Sequence, residues 1–513
     1  MTQTPQSSDT PTTPATAELI HDRIVTWLRD EASIQVDRIG YDEPLFDYGV
    51  DSLGAATIAS ELETATNKKV NLDVLLELES INEISEYLES LPQASQSDSQ
   101  QSASANPVPQ DADGSVATGG LMSHYARLNR RVKGLKEQNL YFFEPEISCH
   151  DGAWVVADGQ RMLMLGSYEY LGLLGHPHLK NSAIETIQEY GTGHHGVRLL
   201  AGTTTIHRQL EAKLASVMKA EDAIVFSSGY VTNLATISSL VGRGDVVIGD
   251  QWNHASIADG CRMSGADFLE FHHNDMASLA ETLAEAGDRQ TLVVVDSVFS
   301  MDGDIIDLPN VVDLCKEHGA LLMVDEAHSL GVLGKTGQGV QEHFDLADDA
   351  IDVKMGTLSK ALAGCGGFVA ACEEITTFLR HHARGYIFSG ALPAPQARVA
   401  IAALEVLERE PELVEQLWAN FEQYLGGLKK LGFDTAKSIT PIVPVMTKTD
   451  EVTLEMTRLC RAAGLLVIPV CYPAVPADAP RLRTCVSAIQ NAEQIDFALD
   501  VLATAGRQTG LIQ

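Results

Sequence analysis

Residues 320–364 read "ALLMVDEAHSLGVLGKTGQGVQEHFDLADDAIDVKMGTLSKALAG". Two short apolar runs, "ALLMVDEA" (320–327) and "IDVKMGTLS" (351–359), bracket a polar, glycine-bearing stretch. Each run has the length and the aliphatic content of a strand buried on both faces. Working outward, "TLVVVDSVF" (291–299), "DVVIGD" (245–250) and "DAIVFSS" (222–228) repeat the pattern, separated by stretches with helical periodicity. Strands alternating with helices predict a mostly parallel sheet covered on both sides. From about residue 400 the pattern changes to helices with shorter strands, which predicts a smaller C-terminal α+β lobe.

"VDEAH" (324–328) has the letters of a helicase box. A helicase needs a phosphate loop of the form G-x-x-x-x-G-K-S/T on an earlier strand. The nearest candidate, "SLGVLGKT" (329–336), has Ser329 in place of the first glycine and lies after the box. The chain also carries 36 Lys and Arg against 70 Asp and Glu, a net charge of −34. Such a polyanion repels nucleic acid. The helicase reading is rejected.

The same residues suit pyridoxal phosphate (PLP). That cofactor needs a lysine to hold its aldehyde, a carboxylate for its ring nitrogen and a cup for its phosphate. Asp325 at a strand end lies 35 residues before Lys360. "SSGYVTN" (227–233) follows a strand and opens a helix, so its backbone N–H groups can take a phosphate. "WNHAS" (252–256) offers His254 to stack on the ring.

Near the N-terminus, "YGVDSLG" (48–54) places Ser52 at the start of an apolar helical stretch. Taken alone, Asp-Ser before a helix is an N-cap. Here it lies in a short helical module, about residues 16–91, and residues 1–90 hold 18 Asp and Glu against 5 Lys and Arg. The Ser/Gln/Ala/Gly/Pro-rich stretch that follows, placed at 92–120, reads as a flexible linker. Its random-coil reach is about 30 Å, comparable to a domain diameter. Residues 121–400 form the N-terminal segment and large domain, and 401–513 the small C-terminal domain. No apolar run reaches the ~18 residues of a membrane span, and the Thr/Pro-rich start lacks Lys and Arg, so a cytoplasmic protein is expected. The eight cysteines show no C-x-x-C spacing, which argues against a disulfide framework or a structural zinc, and no metal is expected.

The module at 16–91, with its "G-x-D-S-L" core, resembles an acyl carrier protein. The resemblance implies an all-α four-helix carrier domain with Ser52 as the attachment point of 4'-phosphopantetheine. A phosphopantetheinyl transferase and an acyl-loading enzyme or synthase would be its partners.

From about residue 121 onward the chain resembles the α-oxoamine synthase family of fold-type I PLP enzymes. The matching blocks are "YLGLLGHP", "FSSGYVTN", "NHASI", "VFSMDGDI", "VDEAHSLGVLGKTGQG", "GTLSKALAGCGG" and "RLRTCVSA". The resemblance implies a fold-type I α/β domain with a mostly parallel seven-stranded sheet. It makes Lys360 the cofactor-holding lysine that also moves the α-proton, and Asp325 the ring-nitrogen partner. His328 and Ser300 would lie near the ring's 3'-oxygen. His254 is the stacking histidine, Thr357 a phosphate ligand, and Gly229 and Tyr230 the phosphate cup. Arg483 would hold the substrate carboxylate. Ser389 in "YIFSGALPAP" would reach a neighbouring subunit's phosphate, so a homodimer is expected. Three positions depart from the family pattern: Glu169 in "SYEYLG" stands where Asn or Asp is usual, Gln490 in "SAIQN" replaces a histidine, and Gly390 removes a side-chain donor or acceptor.

The implied reaction is the decarboxylative condensation of glycine, alanine or serine with an acyl thioester to an α-amino ketone. The attached carrier points to a thioester on Ser52's own arm. The other readings are a carrier-linked transaminase, condensation using coenzyme A thioesters with the carrier serving a different synthase, and a non-catalytic scaffold subunit.

Overall fold

The computed structural model describes residues 20, 21, 24, 25, 62, 80–90, 121–471, 474–476 and 478–513. The chain divides into two compact units, residues 1–123 and 124–513. In the first, Ile20, Ile24 and Leu62 are helical and fully buried. Helix Ile81–Ser90 follows, entered through Ser80, whose hydroxyl accepts from the N–H of Glu83. Ile81, Ile84 and Leu88 are buried along one face of it, the spacing of an amphipathic helix. Ser52 and the linker lie outside the described residues, as does most of the expected four-helix module.

The second unit is built on a seven-stranded sheet, as the alternation of strands and helices predicts. In chain order its strands are β1 (Asp222–Phe226), β2 (Val246–Asp250), β3 (Asp267–Phe271), β4 (Thr291–Asp296), β5 (Leu321–Asp325), β6 (Val353–Thr357) and β7 (Gly367–Ala371). They lie side by side in the order β1-β7-β6-β5-β4-β2-β3. All pairings are parallel except those of β7, which runs antiparallel to both β1 and β6.

Strand geometry explains the unbroken apolar runs. Successive side chains point to opposite faces. Val293 and Val295 of β4 join one core with Val246, Ile248, Leu322 and Val324. Leu292 and Val294 join the other with Val247, Met323 and Val353. Because both faces are dry, every residue of the run must be apolar. The first face is covered by helices Thr205–Val217, Met276–Ala286, Leu308–His318 and Ala394–Arg409. The second is covered by α1 (Gly229–Leu240), α2 (Ala255–Ser264) and helix Glu373–His382.

Helix Ala394–Arg409 runs across residue 400 and ends at Glu410 and Pro411. Beyond it lies the expected α+β lobe. Its three antiparallel strands stand in the order Ile442–Met446, Arg481–Cys485, Ile468–Val470, packed by helices Glu412–Leu431, Asp450–Ala462 and Ala492–Gln508. Strands Ile147–Asp151, Trp154–Ala157 and Gln160–Met164 form a second small sheet, to which Leu465–Leu466 adds in parallel.

The loop between β2 and α2 is braced by an ion triad. Buried His273 bonds Asp250 at 3.0 Å and Asp304 at 2.9 Å, and its ring stacks on Trp252 at 3.9 Å. Burial alone would lower the imidazole's pKa, but the two carboxylates outweigh it and raise it to about 9. A raised histidine stabilises the fold fully below its unfolded pKa of about 6.5 and loses that contribution as pH rises through about 9. His273→Asn is therefore expected to lower Tm strongly at pH 6, where it leaves two buried carboxylates without a cation, and much less at pH 10. Removing one partner of a buried pair costs about 3–5 kcal/mol. Calorimetric melting at the two pH values measures the difference.

Candidate active site

The carboxyl ends of β4, β5 and β6 open into a cavity of about 210 Å³. Ligands bind at such strand ends in α/β sheets. Register puts Asp296 of β4 beside Asp325 of β5. Lys360 follows β6 by three residues and lines the same cavity. So do Gly229, Tyr230, His254, Ser300, His328 and Thr357. The structure thus brings eight of the nine residues proposed for the PLP site to one place; the ninth is Ser389, and Arg483 was expected to hold the substrate carboxylate. Arg483 and Ser389 are not in that lining. Arg483 lies close by in the lobe strand Arg481–Cys485, and its Nε donates to the carbonyl of Ser300 at 2.9 Å. Its guanidinium and the Lys360 ammonium sit 5.9 Å and 5.8 Å from the centre of the Tyr168 ring. Half-buried Ser389 lies farther along the chain, just after helix Arg384–Ile387.

Asp325 is held rigidly. Its Oδ1 accepts from the N–H of Ala327 and its Oδ2 from the Asn233 amide, both at 2.8 Å. The Asn233 amide also donates to the Ser256 hydroxyl at 2.9 Å, and that hydroxyl bonds His254 Nδ1 at 2.7 Å. A continuous chain of hydrogen bonds therefore links Asp325 to the His254 ring. The backbone N–H of His254 is fixed by Asp296 Oδ2. Sequence reasoning assigned no role to Asn233, Ser256, Asp296 or Tyr168. "SSGYVTN", "WNHAS" and "SYEYLG" contain three of them, but only the fold shows that they touch.

Electrostatics separates the groups. Burial draws the Lys360 ammonium down to about 8, against the pull of Asp325 and Asp296 and aided by Arg483. Burial and the nearby cations Lys360 and Arg483 keep His328 well below the usual histidine range, so it is neutral. Its Nδ1 bonds the Tyr170 hydroxyl at 2.6 Å. Burial also lowers His254, with Asp325 opposing and Lys360 assisting. Asp296 is pushed well above the usual carboxylate range, first by burial and then by Asp325. The Asp325 charge beside it thus opposes ionisation of the Asp296 carboxyl.

At the far side the cavity meets the N-terminus of α1. Ser228 caps it by accepting from Val231 N–H, which leaves the first-turn N–H groups of Gly229 and Tyr230 without an intrahelical partner. The helix start approaches the sheet closely. A Cβ on Gly229 would stand 3.0 Å from the Thr357 hydroxyl, and one on Gly367 would meet Gly229 Cα at 2.8 Å. The Thr357 and Ser359 hydroxyls lie 2.8 Å apart beside this end. Gly390 is explained by His194, whose Nε2 would lie 2.5 Å from an added Cβ.

These features test the fit of a phosphorylated pyridine aldehyde. The set supplies an amine of lowered pKa, a buried carboxylate, a neutral imidazole and an anion-binding helix end. The buried Asn233 Oδ1 has no partner within the protein. The residues fit such a group. Among the described residues, no cluster of three or more His, Cys, Asp or Glu could hold a metal, and no helix is long and apolar enough to cross a membrane. All eight cysteines are free thiols.

Comparison with known proteins gives two family matches. Aminotransferase class I and II matches residues 160–502, and the phosphopantetheine attachment site matches residues 22–88. The 8-amino-7-oxononanoate synthase of Symbiobacterium thermophilum is 42% identical over 387 residues, covering 75% of this chain and 98% of its own. The serine palmitoyltransferase of Bacteriovorax stolpii is 40% identical over 382 residues, covering 74% and 91%. A solved serine palmitoyltransferase from S. paucimobilis, with PLP and myriocin bound as an adduct, superposes with a TM-score of 0.73 at 34% identity. That match covers 77% of this chain and all of the other.

Proposed function

The chain belongs to the aminotransferase class I and II family, and within it to the α-oxoamine synthases that condense an amino acid with an acyl thioester; from that premise we propose that its acyl donor is the thioester on its own carrier module. The enzyme is homologous to PLP-dependent C-acyltransferases, and its cofactors are PLP and 4'-phosphopantetheine. The proposed amino acid is glycine, alanine or serine, and the product an α-amino ketone.

PLP, when bound, supplies an electron sink for negative charge at the amino acid's α-carbon. The protein's residues do the rest. Asp325, anchored by Asn233 and Ala327, would supply the counter-charge for a cationic ring nitrogen. Lys360, with its lowered pKa, presents a free amine to take the α-proton in a larger fraction of molecules than an ordinary lysine would. Arg483 offers a planar fork for the substrate carboxylate, and both it and Lys360 lie within about 6 Å of the Tyr168 ring. His254 is the donor to the oxyanion that forms on the thioester carbonyl. One carbon–carbon bond forms, the thiol leaves, and the carboxylate departs as carbon dioxide. A homodimer is proposed as the working unit. The exposed Leu200 and Phe388, on segments joined by the Val197–Gly390 bridge, suit such a contact.

The observation that carries the donor assignment is the presence of both family matches in one chain. Tethering gives a local donor concentration on the order of mM. Against free acyl thioester at about 10 µM, Ser52→Ala is expected to lower the rate of amino ketone formation about 100-fold. Activity with saturating acyl-coenzyme A should survive. A Ser52→Ala enzyme that matches the unaltered, carrier-loaded enzyme at the same low concentration of free acyl thioester would contradict the assignment.

A further inference from the structure

Two of the three positions where the sequence departs from its family, Glu169 and Gln490, face one cavity outside the cofactor pocket. This cavity, of about 430 Å³, is lined largely by apolar groups, among them Ile147, Met164, Leu174 and Ile489. A neighbouring cavity of about 320 Å³ shares Ile147, Met164, Ser167, Glu169 and Leu174 with it and reaches Lys360. Together they make an apolar trough that starts at the reactive amine. Ile147 and Leu174 on its wall are 49% and 53% exposed, so the trough lies open along part of its length. An apolar surface of this kind marks a binding site.

The polar groups in the trough differ in role. Gln490 is spent on the protein: its Oε1 accepts from Ser487 N–H at 3.1 Å and its Nε2 donates to the Met164 carbonyl at 2.8 Å. It shapes the wall and reads nothing. The Glu169 carboxylate accepts from Leu174 N–H at 2.8 Å and stands 3.7 Å from His150 Nε2, with its side chain only 12% exposed. Burial raises its pKa, while the Leu174 bond and His150 oppose the shift. It is the one acidic group common to both cavities. Lys180 lines only the outer cavity and is exposed, where water screens its charge.

We propose that this trough receives the acyl chain and that Glu169 is its specificity-determining residue, admitting chains with an uncharged end and rejecting those that end in a carboxylate. The inference rests on the proposed acyl-thioester chemistry and deepens it. A carboxylate at the far end of the chain meets Glu169 in the outer cavity, where Lys360 does not reach and the one lysine, Lys180, is exposed to water, and such like-charge contacts are how proteins reject a near-identical ligand.

The test uses the full-length holoenzyme and two non-reactive pantetheine thioethers of equal, medium chain length. One ends in a methyl group and the other in a carboxylate. Calorimetry is expected to show the methyl-ended probe binding at least about 30-fold more tightly to the unaltered protein. In Glu169→Gln that ratio should fall about tenfold, through tighter binding of the carboxylate-ended probe alone. Leu174→Trp, at an exposed position that tolerates bulk, should weaken both probes. Equal binding of the two probes, or an unchanged ratio in Glu169→Gln, overturns the role of Glu169. If neither probe binds and no acyl thioester is condensed, the functional reading itself falls.

Discussion

Replacing Lys360 with alanine is expected to lower the rate of amino ketone formation by about 10⁴-fold or more, with little change in fold. The residue stands just past β6 at the cavity floor, with its ammonium drawn down to about 8. That shift costs the folded state something, since an ordinary lysine would stay charged in water. Alanine relieves the desolvation, so Tm should not fall. Catalysis loses both the covalent hold on the cofactor and the base for the α-proton. Adding a small primary amine would restore part of the proton transfer, because the vacated space admits one. Steady-state rates and a melting curve on the same preparation separate the two effects. An alanine variant within tenfold of the unaltered enzyme would mean that another group moves the proton.

Asp325→Asn carries the second largest effect, a loss of about 10³-fold in kcat. Asp325 is 3% exposed and its two oxygens are taken by Asn233 and Ala327. An asparagine keeps the size but offers no negative charge to a cationic ring nitrogen. It also turns an amide donor toward the Asn233 amide or the Ala327 N–H, so one former bond becomes a donor–donor contact. Loss of the charge removes the repulsion that Asp325 exerts on Asp296, and the Asp296 carboxyl should then ionise more readily. The variant is therefore expected to stay folded and still bind cofactor, with an altered absorption spectrum. A variant with unchanged kcat would remove Asp325 from the chemistry.

Much of this site can be read in the chain because strand ends carry it. Runs such as "TLVVVD" and "ALLMVD" hold at least four successive apolar residues, since the sheet is dry on both faces, and each ends in the polar residue that lines the cavity. The spacing from Asp325 to Lys360 then measures one strand–loop–strand step. Two strands of the sheet escaped the reading. β3, "DFLEF", is an edge strand with Asp267 and Glu270 exposed, and edges are often charged to prevent pairing. β7, "GFVAA", is not an edge strand, but its two strand formers Phe368 and Val369 are flanked by glycine and alanine, because Gly367 must let α1 press onto it. Two strand formers between small residues are too short a run to read as a strand.

The hydrogen-bond chain from Asp325 through Asn233 and Ser256 to His254 was equally hidden. Its members come from β5, α1 and the start of α2, and only His254 and Ser256 are near one another in the chain. Gly390 looked like a lost donor in the sequence; in the fold it makes room for His194. Glu169 and Gln490 stood out as separate departures more than three hundred residues apart. Only the packing of the lobe strand Arg481–Cys485 against the segment after Gln160–Met164 brings them to one cavity.

The proposed chemistry requires a bond between the cofactor's aldehyde carbon and the side-chain nitrogen of Lys360. Borohydride reduction of the holoenzyme, followed by proteolysis and mass mapping, tests it directly. The prediction is a single reduced pyridoxyl phosphate adduct, on the peptide that contains Lys360. An adduct found instead on Lys354 or Lys335, or no adduct on any lysine, would contradict it.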